Sequence, residues 1–132
     1  MKVTPYLALP GRCEEAIKFY QAHLGAQVLF LHRFKDAPGE PMGPPEGVMH
    51  ATLQIGDSVL HASDGGHPAF AGPMRGCSLS LAAKDATEGQ HKFDALAEGG
   101  KIVMPFQKTF WAEGFGMLVD RFGVAWMVNV DH

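Results

Sequence analysis

The sequence predicts an α+β protein built from two βαβββ modules, and three observations carry that expectation. The order strand, helix, strand, strand, strand appears twice, offset by about seventy residues. Each helical stretch has an apolar stripe at three- and four-residue spacing and is closed by glycine. A hairpin in the first half has one apolar and one polar face, so a single side of its sheet needs covering.

Val3 to Leu9 reads as a short strand ended by Pro10-Gly11. A helix follows over Glu14 to His23, where Ala16, Ile17, Tyr20 and Leu24 form the stripe. Glu14 and Glu15 sit in its first turn, where the dipole favours negative charge, and Gly25 offers the C-terminal cap. Ala26 to Phe34 is a second strand, and Asp36 to Gly47, rich in proline and glycine, is expected to be a mobile connection. Met49 to Ile55 and Val59 to Ser63 then pair around Gly56-Asp57. A two-residue turn sets Thr52 opposite His61 and His50 opposite Ser63, so that His50, Thr52, Gln54, Val59, His61 and Ser63 share one face. Met49, Ala51, Leu53, Ile55, Leu60 and Ala62 take the other, which is expected to lie under the helix.

Asp64 to Arg75 is again rich in glycine and proline and reads as a linker. Cys77 to Ala82 is a strand, and Asp85 with Glu88 three residues on reads as a capping box. Phe93, Leu96 and Ala97 supply the helical stripe, and Gly99-Gly100 stop it. Lys101 to Met104, Phe115 to Asp120 and Ala125 to Val130 complete the second set of strands. A single domain over residues 1–132 follows, with modules near 1–64 and 76–132 joined by a linker over 65–75. Neither half closes a core alone, so the modules are expected to form a curved mixed sheet around a cleft.

Composition narrows the function. The chain is 46% hydrophobic and 19% charged, with 11 Lys+Arg against 14 Asp+Glu, and no basic run interleaves with aromatics. Nucleic acid is therefore not expected as a partner. No apolar run reaches membrane-spanning length, so no membrane partner is expected either. Cys13 and Cys77 form neither a CxxC pair nor a disulfide framework, which fits reduced thiols and a cytoplasmic location.

The candidate site begins with His50 and His61. They lie diagonally on one face, about 7 to 8 Å apart from backbone to backbone across the strand pair, so both imidazoles could touch one ligand. Trp126 alternates with Val128 and Val130 and is expected beneath the second helix, leaving Met127 and Asn129 on the open face. Trp111 falls in a loop with Phe106 and Phe110, where large aromatics either plug an interface or cover a pocket. The other histidines, His23, His32, His67, His91 and His132, read as surface residues. Cys77 has no base beside it, and Ser63-Asp64 lacks the strained elbow of a nucleophilic serine. Gly114 and Gly116 lead straight into a strand and cradle no phosphate.

Several stretches together carry a family resemblance: Ala16-Ile17-Lys18-Phe19-Tyr20 ahead of Leu24-Gly25-Ala26, His50-Ala51-Thr52-Leu53-Gln54-Ile55-Gly56-Asp57-Ser58, Ser63-Asp64, and Asp120-Arg121-Phe122-Gly123-Val124-Ala125-Trp126-Met127. They resemble the vicinal oxygen chelate superfamily of glyoxalase I, extradiol dioxygenases and bleomycin-resistance proteins, and within it the PhnB-like group. The resemblance implies a glyoxalase-like fold. It also implies one metal-ligand position on each of four cleft strands, which fall here at Pro5, His61, near Ser78 and at Met127. Of these only His61 suits a divalent ion, since proline offers no side-chain donor, serine is a poor neutral ligand and thioether sulfur prefers soft ions.

The function implied is binding of a small molecule in the cleft between the modules, without the four-ligand metal and with no cofactor. Met127 and Trp111 would supply contact area, and His50, His61 and Asn129 would hold the ligand's polar end. Two alternatives stay open: a metal-dependent lyase, isomerase or dioxygenase, with an ion held through His61 and His50, and a protein that sequesters an antibiotic unchanged. No loop for a methyl-donor or phosphonate reaction is visible in the sequence. Superfamily members often pair across a two-fold axis, so a homodimer is expected.

Overall fold

The computed structural model describes residues 1–40, 42–65 and 72–131, so His67 and His132 lie outside the described residues. The chain falls into two compact units, Met1–Ala71 and Gly72–His132. The first carries β1 (Tyr6–Ala8), α1 (Cys13–Leu24), β2 (Gln27–Arg33), a 3₁₀ turn (Phe34–Asp36), β3 (Val48–Ile55) and β4 (Ser58–Ser63). The second carries β5 (Leu79–Ala82), α2 (Ala86–Ala97), β6 (Lys101–Gln107), β7 (Gly114–Val119) and β8 (Ala125–Val130). The βαβββ order thus occurs twice. Each unit has its own four-stranded mixed sheet, ordered β1-β4-β3-β2 and β5-β8-β7-β6. In each, the first strand runs parallel to the last and the other pairs are antiparallel.

Helix α1 begins without a side-chain cap from its own N-cap residue, Arg12. The missing acceptor comes from the far end of the unit, where the Asp64 carboxylate accepts the Cys13 N–H at 2.9 Å and the Val48 N–H at 2.7 Å. A charged acceptor at a helix N-terminus satisfies an orphan donor and complements the dipole. The helix ends at Gly25, whose φ of 65° is the left-handed conformation that glycine adopts without a side-chain clash. Ala16, Ile17, Tyr20 and Leu24 are buried, as are Leu7, Ala51, Leu53, Leu60 and Ala62 on the facing side of the sheet. Burying each larger side chain is worth about 1.5–3 kcal/mol, so this stripe is what holds helix to sheet.

The segment expected to be a mobile connection is tied at its ends. Phe34 is buried, and a Cβ added to Gly43 or Gly47 would come within 2.8 and 3.1 Å of its ring. Arg33 donates to the Glu46 carbonyl at 2.6 Å, and Phe34 N–H donates to the Gly47 carbonyl at 3.0 Å.

In the second unit Asp85 caps α2 as expected, its Oδ1 accepting the Glu88 N–H at 2.8 Å. The reciprocal contact is shifted one residue: Glu88 Oε1 accepts from Lys84 N at 3.4 Å rather than from Asp85 N. Strand β6 runs three residues past its expected end, through Pro105 to Gln107. Proline is tolerated there because the strand is at the sheet edge and its pairing is interrupted between Met104 and Gln107. Phe106 is therefore a strand residue and not a loop aromatic. Its ring meets Phe93 at 5.8 Å between centroids and lies against Gly89 and Gly114, where a Cβ would collide with it. Among the described residues no helix is long and apolar enough to cross a membrane.

Candidate functional site

The side of the first sheet turned away from α1 collects the unit's polar and aromatic groups, and pairing explains why. Parallel β1–β4 pairing sets Tyr6 beside His61, and the hairpin sets Thr52 on the other side of His61. Strand β2 adds Phe30 opposite Thr52 and His32 opposite His50. Directly paired residues point to the same face, so Tyr6, His61, Thr52, His50, Phe30 and His32 project together.

Hydrogen bonds join four of them in a row. Tyr6 Oη lies 2.9 Å from His50 Nδ1, His50 Nε2 lies 3.3 Å from Thr52 Oγ1, and Thr52 Oγ1 lies 3.0 Å from His61 Nδ1. The two imidazole centroids are 4.9 Å apart, and the Tyr6 ring is 5.5 and 5.6 Å from them. Phe30 closes the side, 5.8 Å from His50 and 4.3 Å from His32. Partial burial lowers the His50 pKa below the usual imidazole range, and the neighbouring positive charges of His61 and His32 push it the same way. Its ring is therefore neutral at neutral pH.

The expected proximity of His50 and His61 is present. The sequence alone does not reveal Tyr6, since the family resemblance sets Pro5 at the facing position where the structure has Tyr6 beside His61. A three-residue strand shows no alternation, and its parallel partner cannot be read from local pattern. The expected His50–Ser63 pair does not form, since the β3–β4 ladder ends at Ala51–Ala62. Ser63 is buried instead, donating to the Met49 carbonyl at 2.7 Å and accepting the Gly65 N–H at 2.9 Å.

Met127, Asn129 and Trp111 belong to the second unit. Burial alternates along β8, with Trp126, Val128 and Val130 buried and Met127 and Asn129 partly open, as the periodicity predicts. Met127 pairs with Ser80 and Met117, and Asn129 with Ala82 and Phe115. Trp111 meets Phe115 edge-on at 5.6 Å, so it stands next to the cross-strand partner of Asn129. The Asn129 amide is turned to the strand end, donating to Asp131 Oδ1 at 2.8 Å.

The four superfamily ligand positions can be tested against the strand pairing. Tyr6 rather than Pro5 lies beside His61, and Ser80 rather than Ser78 lies beside Met127. The first unit offers a phenol and an imidazole at these positions and the second a hydroxyl and a thioether, so imidazole is the one strong ligand for a divalent ion among them, where a catalytic zinc site needs three. These residues do not fit the superfamily's metal. Among the described residues no three His, Cys, Asp or Glu side chains form a metal-binding group. Nor is a nucleophilic thiol offered by Cys13, whose pKa is pushed up to about 12 by burial and by the charges of Asp64 and Glu14.

Comparison with known proteins bears first on the fold. A glyoxylase/bleomycin resistance protein/dioxygenase domain from Frankia sp. EAN1pec shares the fold at 17% identity and a TM-score of 0.68, over 100% of this chain and 92% of that one. The particular family follows from the whole sequence: a family model described as 3-demethylubiquinone-9 3-methyltransferase matches residues 1–129, and the chain belongs to that family. It is 39% identical to Protein YjdN of Escherichia coli (strain K12), over 98% of this chain and 95% of that protein. The crystal structure of protein PA1353 from Pseudomonas aeruginosa is 45% identical with a TM-score of 0.88, covering 99% and 98% of the two chains. A Bacillus cereus PhnB protein, described as a putative 3-demethylubiquinone-9 3-methyltransferase, is 28% identical with a TM-score of 0.82 over 98% and 99%.

Proposed function

We propose that the protein binds a small molecule on the face of the first sheet that carries Tyr6, His50 and His61, without a metal at the superfamily's ligand positions. The observation that carries this reading is the hydrogen-bonded row Tyr6–His50–Thr52–His61 flanked by Phe30. A few convergent polar groups beside aromatic surface are the chemistry of a small-molecule site. The polar end of the ligand meets His61 and Tyr6, and its apolar body lies on the exposed ring of Phe30. Calorimetry with carbonyl, carboxylate and phenolic compounds tests the reading. Saturable binding that weakens at least tenfold in His61→Ala is expected, and absence of any saturable binding would overturn it. Stoichiometric, tight uptake of zinc or nickel in the same instrument would overturn the metal-free part.

The same proposal places the protein in the cytoplasm, which the unpaired and exposed Cys77 supports, since a reducing compartment keeps such a thiol free. It also makes the protein a homodimer. Support comes from the edge strands β2 and β6, which leave Leu29, Phe30, Ile102 and Val103 exposed, an unusual amount of apolar edge for a monomer. Sedimentation at micromolar concentration tests this, and a lone monomer peak would refute it.

A further inference from the structure

The row of four side chains has a property that binding alone does not use. We infer that Tyr6, His50, Thr52 and His61 form a proton relay, which makes the site an acid–base device for shifting a proton within a small carbonyl compound. The inference rests on the binding reading above, because the substrate must lie over the same face.

A neutral imidazole has one N–H and one lone pair, and a hydroxyl donates one hydrogen while accepting others. The contacts at 2.9, 3.3 and 3.0 Å join each group to the next through different atoms. In one polarity Tyr6 donates to His50 Nδ1, His50 Nε2–H donates to Thr52, and Thr52 donates to His61 Nδ1, so His61 carries its proton on Nε2. In the other every bond is reversed: His61 Nδ1–H donates to Thr52, Thr52 to His50 Nε2, and His50 Nδ1–H to Tyr6, whose own O–H then points outward. In both of these relay polarities the two imidazoles hold the same tautomer, whereas opposite tautomers would leave Thr52 accepting from both rings and break the relay. Among the described residues His61 Nε2 has no hydrogen-bond partner, which leaves it available as the working end. The groups facing His50 are Tyr6 from β1, His32 from β2 and His61 from β4. Its lowered pKa keeps it neutral, as a relay member must be.

The reaction balances without any oxidant or charge left over. Starting from the second polarity, the His61 Nε2 lone pair takes a proton from the carbon next to a carbonyl. The C–H electron pair becomes a C=C bond, and the carbonyl π pair moves to oxygen, which takes the Tyr6 phenol proton. His61 Nδ1–H passes to Thr52, the Thr52 proton to His50 Nε2, and His50 Nδ1–H to the Tyr6 oxygen. A ketone has become an enol, and the chain stands in the first polarity, ready for the reverse transfer. With the Tyr6 and His61 rings 5.6 Å apart, acid and base reach neighbouring atoms of one small molecule.

Two measurements on the full chain decide it. Imidazole ¹⁵N spectra of the ligand-free protein at pH 8 are expected to show His50 and His61 in the same tautomer, and Thr52→Val, which keeps the shape and removes the link, is expected to change the tautomer ratio of at least one. Opposite tautomers, or ratios unmoved by Thr52→Val, would overturn the relay whether or not any ligand binds. Phenylpyruvate is the kinetic probe, its enol–keto conversion followed by ultraviolet absorbance. An acceleration over buffer that falls at least tenfold in Thr52→Val at saturating phenylpyruvate supports the activity. No acceleration, or an equal rate in Thr52→Val, overturns it. Failure of the binding reading is read separately, from calorimetry.

Discussion

The indole Nε1 of Trp126 donates to Asp120 Oδ2 at 2.9 Å, while Asp120 Oδ1 accepts the N–H groups of Phe122 at 2.9 Å and Val124 at 3.0 Å. One buried carboxylate therefore satisfies three donors and fixes both the turn and the first residues of β8. Removing it would leave buried donors without acceptors, at about 1–3 kcal/mol for such a group and more where charge is involved. Asp120→Ala is accordingly expected to destabilise the protein by about 3 kcal/mol in urea unfolding, and Trp126→Phe, which removes one donor, by less. A loss under about 1 kcal/mol for Asp120→Ala would contradict this account.

The two cysteines are expected to differ sharply in reactivity. Cys13 is fully buried at the start of α1, and its thiol pKa is pushed up to about 12, so almost no thiolate forms at pH 8. Cys77 is exposed. Thiol titration of the native protein at pH 8 should count one fast-reacting group, with the second appearing only on adding denaturant. Cys77→Ser should abolish the fast phase. Two fast thiols in the native protein would refute the burial argument.

A glycine in β7 has a packing role that can be tested directly. At Gly116 an added Cβ would come 2.6 Å from Phe93 Cε2 and 2.9 Å from the Phe106 backbone. Neither neighbour has room to retreat, because Phe93 is buried and the Phe106 contact is main chain. Overpacking of this kind costs about 1–3 kcal/mol. Gly116→Ala should lower the melting temperature clearly, whereas alanine at the exposed Gln90 on α2 should leave it unchanged or slightly raised. Equal melting temperatures for the two variants would count against the wedge.

How much of this was legible in the sequence follows the range of each interaction. The repeat, both helices and their glycine stops rest on local periodicity, and so does the hairpin register Thr52–His61, which a two-residue turn fixes. The alternation that buries Trp126 and opens Met127 was equally local. What escaped depended on partners far along the chain. Asp64 looked like linker because its donors, Cys13 and Val48, lie 51 and 16 residues away. Tyr6 escaped because its parallel partner is β4, and Phe106 because Pro105 reads as a strand breaker until the edge position of β6 is known. The half of the candidate site drawn from the hairpin was visible, and the phenol that completes its hydrogen-bonded row was not.

Finally, His50 gives the stability a pH dependence whose sign can be stated. Burial, and after it the charges of His61 and His32, hold the folded-state pKa of His50 below the ordinary value near 6.5 that the unfolded chain would show. Between those two values the unfolded chain binds more protons than the folded one, so stability rises with pH. The contribution is fully present above about 6.5 and is lost as the pH falls through the lowered folded value. Glu14, whose carboxyl is held low by its hydrogen bond to Arg33, acts in the same direction but below about pH 4.3, so the two windows separate. Melting temperatures from pH 8 to pH 5 should therefore fall more steeply for the wild-type chain than for His50→Gln, which carries no titrating ring. Parallel curves over that range would show that the ring is not held neutral by its neighbours.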